Sequence, residues 1–413
     1  MFRAQDEQLN QHDSRPTGAP GRLACILLWL LAAAPCITLV ASDLRQLDGL
    51  RLSESQLIVG RDFVNLWSGG RLALGGGQSI LYDSHTYLAW LESVFGPLDF
   101  YNYSYPPHSL LLALPFGAMP YAPALLLWTI LSCALFIWAA RPFIPQAMPI
   151  ACAVITPAAI INIWEGQYGL VVGALWLLFY RYIDRAPGRG GAIAGLLTVK
   201  PHLGLLIALT LLTRRMTRPI LIAGVVTIGL VAISAVAFGS DLWRIWLFET
   251  SRLQSHIMTS PGQHFYHFMM PSAYVALREA PAMVAVTAQA ASAVAGLVLF
   301  WKARHAPASE LAFIAASATA VIIPYIFNYD LTVASLGFAI LLFSRWSALA
   351  RWERTSLWCA FASPLLVIVF NPIATISLLL GLWVQVRHAS GMIEGRPSQP
   401  TWHDGTTPPG PLS

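Results

Sequence analysis

The chain has 413 residues, 56% hydrophobic and 11% charged, with a mean hydropathy of +0.60. A soluble domain carries roughly 25% charged residues, so this chain must be surrounded largely by lipid, which excludes a soluble multidomain enzyme, a secreted disulfide scaffold and a disordered chain. The net charge of +5, from 25 Lys and Arg against 20 Asp and Glu, is cytoplasmic-loop bias rather than a nucleic-acid surface.

At roughly 20 apolar residues per spanning helix, the hydrophobic content caps the number of spans near a dozen. The expected fold class is therefore an all-α polytopic membrane protein. The five cysteines, Cys25, Cys36, Cys133, Cys152 and Cys359, all sit in apolar runs without metal-ligand spacing. They are expected to be buried thiols, with no zinc site and no disulfide framework.

Residues 1–22 are polar and are expected to form a disordered cytoplasmic tail, with a matching disordered tail over 389–413. Leu23 to Ala41 is an apolar run that follows a long hydrophilic leader. That order favours a retained first helix over a cleaved signal peptide. The membrane domain is expected to cover 23–388.

Residues 42–107 are too long for a simple connector and are expected to form the first outer loop. Asp62 stands at an N-cap position, and Phe63, Leu66, Trp67, Gly70 and Leu74 follow as an apolar stripe that ends at Gly75-Gly76-Gly77. A second stripe, Tyr87, Leu88, Leu91, Val94 and Phe95, starts after Ser84 and stops at Gly96-Pro97. Both predict short amphipathic helices on the outer membrane surface.

Residues 108–140 exceed one ordinary span and are interrupted by Pro115, Pro120 and Pro123. Further on, four basic clusters mark the cytoplasmic side: Arg181, Arg185 and Arg189; Arg214, Arg215 and Arg218; Lys302, Arg304 and His305; Arg345, Arg351 and Arg354. The first two clusters flank only a short apolar segment, 190–213. Keeping both on one side requires two half-helices that meet at Lys200-Pro201. Broken helices persist in a bilayer only where the freed backbone lines a polar cavity, so Lys200-Pro201 marks a cavity. The plain alternative is one kinked helix with Lys200 turned to a neighbour.

By the same parity the outer side collects Trp164-Glu165-Gly166-Gln167, the loop 239–271 and Asn328-Tyr329-Asp330. Asp62 has two readings there, a helix cap and a base held where lipid meets water, and the two are compatible. Glu165 and Gln167 suit sugar hydroxyls or a polar turn, and Asp330 suits a helix cap or a substrate contact. Lys200 is costly in a membrane unless paired. His264 and His267 share a helical face with no third ligand nearby, so an interfacial pair or a phosphate or sugar contact is expected before a metal. Trp67 and Trp90 are equally suited to membrane anchoring and to stacking on a sugar.

The run Asp62-Phe63-x-x-x-Trp67-x-x-x-Arg71-Leu72-Ala73-Leu74-x-Gly76 is followed by Leu81-Tyr82-Asp83, Tyr105-Pro106-Pro107, Met119-Pro120-Tyr121 and Trp128. Together with Gly166-Gln167, Gly195-Leu196-Leu197, Lys200-Pro201-His202 and Asn328-Tyr329-Asp330-Leu331, it resembles glycosyltransferase family 87 over about 55–345. After Arg345 no motif matches, and the Gly75-Gly76-Gly77 run is unusually glycine-rich for the pattern.

The resemblance implies a helix bundle of the GT-C superfold. It also implies transfer of a hexose, usually mannose, from a polyprenyl phosphate to a lipid or glycan acceptor with inversion. Asp62 matches the family's base, and Lys200, Arg71, His264, His267, Glu165, Gln167 and Asp330 are the candidate substrate contacts. No cofactor, metal or nucleic acid is implied. The partners are the lipid-linked donor, the acceptor and the bilayer, in a multi-pass inner (cytoplasmic) membrane protein with its site facing the periplasm. The competing class is a transporter or flippase for a lipid-linked or amphipathic solute, which broken helices and an intramembrane lysine also fit. The lack of similarity between the two halves and the one-sided polar residues argue against it.

Overall fold

The computed structural model describes residues 29, 34, 37–146, 148–260 and 265–389. The two tails, most of the first apolar run and His264 lie outside the described residues. The protein is all-α and polytopic, 75% helical. The described sheet is one two-stranded ribbon, Leu47–Asp48 against Arg51–Leu52. Among the described residues three helices are long and apolar enough to cross a bilayer, over Tyr121–Phe143, Thr217–Phe238 and Ala282–Ala303. Shorter apolar helices complete the bundle.

After the ribbon come α1 (Phe63–Leu74) and α2 (Ser84–Phe95). Asp83 caps α2 by accepting from the amides of His85 and Thr86. That helix is amphipathic as expected, with Tyr87 and Leu91 buried. α1 goes deeper than a one-sided stripe requires, since nine of its twelve residues are buried. The reason is α3 (Ser109–Gly117), which packs along it. A Cβ on Gly70 would stand 2.1 Å from the carbonyl of Ala113, and one on Gly117 would stand 2.2 Å from the amide of Arg71. The two backbones therefore touch, as small residues allow between helices in lipid.

Residues 108–140 divide as their prolines demand. α3 ends before Pro120, and α4 (Tyr121–Ala140) forms the long span. Next come α5 (Pro157–Glu165) and α6 (Gly169–Tyr182), separated by a tight turn at Gly166, whose φ is +63°.

The segment after the first basic cluster is broken in two. α7 (Pro187–Leu196) runs into a 3-10 turn, Lys200 leaves helical geometry at φ −131° and ψ 78°, and α8 (Leu205–Thr213) follows a second 3-10 turn. Its two ends meet again. Arg214 after α8 donates to Asp184 before α7 at 3.0 Å, and Tyr180 lies 3.0 Å from Thr210. The segment is a hairpin with Lys200 at its tip, which rules out the single kinked helix.

The second half contributes α9 (Thr217–Phe238), α10 (Ser251–Thr259), α11 (Ala282–Ala303), α12 (Ala308–Ile322), α13 (Thr332–Arg345), α14 (Arg351–Val369) and α15 (Asn371–Arg387). Arg214 also donates to the carbonyl of Ala306 at 2.9 Å, and Arg345 pairs with Glu310 at 3.5 Å. These contacts gather the four basic clusters at one end of the bundle.

Candidate active site

The loop between α5 and α6 and the loop before α1 lean directly on each other. A Cβ on Gly166 would meet Cβ of Phe63 at 2.5 Å and the carbonyl of Gly60 at 2.6 Å. Only glycine fits this contact and this φ together. Trp128 of α4 donates to the Gly166 carbonyl at 3.0 Å and holds the turn from the other side.

This contact sets Asp62 opposite Gln167. The Asp62 backbone is already helical, at φ −70° and ψ −11°, and its side chain makes no cap hydrogen bond. A capping carboxylate needs an extended backbone to fold back on the first amides, so the cap reading of Asp62 does not hold. The carboxylate instead accepts from the Gln167 amide. Through its carbonyl oxygen the same amide accepts from the Tyr105 hydroxyl at 2.7 Å and from the Lys200 ammonium at 3.4 Å.

Lys200 reaches this point from the tip of the α7–α8 hairpin and pairs with Asp330 at 2.7 Å. Asp330 sits in a one-turn 3-10 helix, Asn328–Asp330, ahead of α13 and makes no cap hydrogen bond in the described structure. Asn328 anchors that turn by donating to the Pro364 carbonyl at 3.0 Å. Lys200 also lies 5.1 Å above the Tyr329 ring and 6.0 Å from the Tyr105 ring. Isolated in lipid this ammonium would be expensive; here it has a carboxylate, an amide oxygen and two aromatic faces.

These groups border a cavity of about 330 Å³, lined by Asp62, Glu165, Gln167, Lys200 and Asp330 among others. Aromatic rings supply much of the remaining wall, with Tyr101, Tyr105, Trp246, Tyr325, Phe327 and Tyr329 all facing it. Asp62 lies outside the spanning helices and is half-buried, with its carboxylate at the cavity wall. Burial raises its pKa above the ordinary carboxylate value; the Gln167 hydrogen bond and the charges of Lys200 and Arg61 pull the other way. A carboxylate shifted upward is a stronger proton acceptor while it stays ionised.

Not every expected residue converges. Arg71 is exposed and donates to the Gly117 carbonyl at 3.4 Å, away from the cavity wall. Nine residues along α1 from Asp62 carry it to the far end and around the helix. His267 is buried, and its Nε2 contacts the Ile257 carbonyl at 2.9 Å. It ties the segment after α10 to α10 and is not part of the cavity wall. His256, a third histidine of the loop 239–271, lines a separate pocket of about 270 Å³ with Tyr82 and Arg252. Trp67 donates to the Met119 carbonyl at 2.9 Å and lies 6.3 Å from Trp90, so it serves packing between α1 and α2.

Sequence reasoning passed over Arg61. Its guanidinium donates twice to Asp43, lies 3.4 Å over the Trp164 ring and sits 3.7 Å from Glu165. Trp164 in turn donates to Asp43 at 2.7 Å. Asp43 is 18 residues from Arg61 and Trp164 is 121 residues from Asp43. The only local signal is a basic residue beside the carboxylate, inside a stretch expected to lie on the outer side.

Among known families, glycosyltransferase family 87 matches residues 103–327. The chain belongs to glycosyltransferase family 87. No curated protein and no solved structure matches it. As a family 87 protein built as a polytopic bundle, it is a membrane glycosyltransferase, which requires a sugar donor, an acceptor and a bilayer. The match begins at Tyr103, so it takes in Gln167, Lys200 and the wall residues up to Phe327 but neither Asp62 nor Asp330. Those two carboxylates enter the site through geometry: Asp62 through Gln167, and Asp330 through Lys200. No group of three or more His, Cys, Asp or Glu suited to a metal occurs among the described residues.

Proposed function

We propose that this glycosyltransferase moves a hexose, mannose by family resemblance, from a polyprenyl phosphate to a hydroxyl of a lipid or glycan acceptor, with inversion. The reaction takes place at the outer face of the inner membrane. One observation carries the reading: a carboxylate released from helix capping opens into a largely aromatic cavity, with a buried lysine one hydrogen-bonded amide away.

In this reading Asp62 accepts the acceptor's hydroxyl proton as that oxygen attacks the anomeric carbon. The bond from that carbon to the phosphate oxygen breaks, and the polyprenyl phosphate departs with the bonding pair. Lys200 offers positive charge to the departing phosphate, which needs a cation more than a proton. Asp330 holds that ammonium in place through their ion pair. Gln167 orients Asp62, and the aromatic wall excludes water that would otherwise compete for the sugar.

The test is transfer from radiolabelled polyprenyl-phospho-mannose to glycolipid acceptors by protein in nanodiscs. Wild-type transfer with loss in Asp62→Asn supports the assignment; full transfer by Asp62→Ala removes the base role. Donor movement across the bilayer without transfer or hydrolysis would place the protein among flippases.

A further inference from the structure

Gln167 alone does not hold Asp62 in place. Arg61, the residue before it, has φ +34°, on the left-handed side that non-glycine residues occupy only where their surroundings over-determine it. Those surroundings are the two hydrogen bonds to Asp43, the Trp164 ring beneath the guanidinium and the Glu165 carboxylate at its edge. Asp43 lies within the helical stretch 37–45, and Trp164 and Glu165 close α5, so two distant parts of the chain grip one side chain. Arg61 itself is 6% exposed.

The left-handed residue reverses the chain just ahead of α1, and Asp62 enters the helix already in helical conformation. We infer that Arg61 is a positioning residue for the general base: its guanidinium, locked by Asp43 and Trp164, fixes the backbone so that Asp62 faces the cavity instead of capping α1. The inference rests on Asp62 acting as base. A lysine cannot substitute, because one ammonium can neither bond both oxygens of Asp43 in a planar fork nor stack flat on Trp164. Glycine would accept the left-handed backbone but has no grip.

The experiment uses the full-length protein in nanodiscs, farnesyl-phospho-mannose as donor, and either water or octyl α-mannoside as acceptor. The variants are Arg61→Gly, Arg61→Lys and Asp43→Asn. Misplacing a reacting group by about 1 Å costs on the order of 100-fold in rate. Arg61→Gly is therefore expected to lower kcat about 100-fold with either acceptor while KM for the donor stays at the wild-type value. Arg61→Lys and Asp43→Asn should fall in between.

The pH profile separates placement from charge. Asp62 is faced by Gln167, Glu165, Lys200, Asp330 and the phenols of Tyr87, Tyr101, Tyr105, Tyr121, Tyr325 and Tyr329, all of which remain in every variant. Removing the guanidinium in Arg61→Gly moves the acid limb of kcat to higher pH. Arg61→Lys keeps the charge and leaves the limb in place while kcat still falls. Unchanged kcat in all three variants overturns the inference. So does a raised donor KM at constant kcat, which would make Arg61 a substrate contact. A fall in kcat in Arg61→Gly without movement of the limb means only a smaller folded fraction and also overturns it. If Arg61→Gly does not fold, Arg61→Lys and Asp43→Asn carry the same kcat and KM comparison. A wild type that turns over no donor overturns the base reading itself, and this inference with it.

Discussion

At the scale of single residues the site is a chain of four polar side chains, Asp62, Gln167, Lys200 and Asp330, in which each contact leans on the next. Asp62→Asn keeps the size of the base and loses its proton affinity, so kcat should fall roughly 10²- to 10⁴-fold, with donor binding retained in a filter assay. Lys200 and Asp330 are a buried pair, and breaking such a pair from one side costs about 3–5 kcal/mol. Lys200→Met should therefore lower the melting temperature sharply, and Lys200→Met with Asp330→Leu should recover much of it without restoring transfer. That combination separates the stabilising part of the pair from its chemical part. Acid should also reveal Asp62. As the proposed base it works only when ionised, and burial holds its pKa above the ordinary value. Activity is thus lost, as pH falls, sooner than for an exposed carboxylate. A variant in which Lys200 loses its charge shifts that loss to higher pH still.

At the scale of elements the site depends on turns. Gly166 joins a positive φ to a contact that leaves no room for a methyl group. Gly166→Ala should destabilise by more than about 1 kcal/mol and lower kcat as well, because Gln167 moves with the turn. Asp83 makes the contrast. It caps α2 through two amides and lies outside the cavity wall, so Asp83→Ala should cost about 1 kcal/mol and leave kcat unchanged; thermal unfolding and turnover of the same sample check both. The helices α1 and α2, the proline division of 108–140 and the break at Lys200 were legible from spacing and breakers, because each is decided within a turn or two of chain. The deep burial of α1 was not. Its cause is α3, brought alongside by a Gly70–Gly117 contact that has no period in the sequence. The Arg61 grip was hidden for the same reason, since its partners lie 18 and about a hundred residues away. His267 misled because equal spacing on a helix face says nothing about which face meets the cavity.

At the scale of the whole molecule, the charges sort by end. The four basic clusters are drawn together by Arg214–Asp184, Arg214 to the Ala306 carbonyl, and Arg345–Glu310, while the cavity carboxylates occupy the opposite side of the Lys200 hairpin. In the proposed orientation the basic end faces the cytoplasm, as the bias of Lys and Arg leads one to expect. In a variant lacking native cysteines, Ser93→Cys should react with an impermeant maleimide in intact spheroplasts, and Arg215→Cys only after permeabilisation; the reverse result would invert the topology. Both positions are exposed.

The α7–α8 hairpin also sets a depth. Its first arm is a helix of 10 residues followed by a 3-10 turn of 3, which at about 1.5 and 2.0 Å per residue rises at most about 20 Å. A hydrocarbon core is about 30 Å thick. With the basic end set at one membrane surface, as the proposed orientation requires, Lys200 would stop well short of the far surface, and the floor of the cavity would lie inside the thickness of the lipid tails. A molecule anchored by a long chain in that leaflet would meet the site sideways, at a level where its polar head must sink below its neighbours' heads. With a lipid-linked donor, as proposed, membrane thickness would then be a kinetic variable for this protein, because a thicker leaflet deepens the descent and a thinner one shortens it.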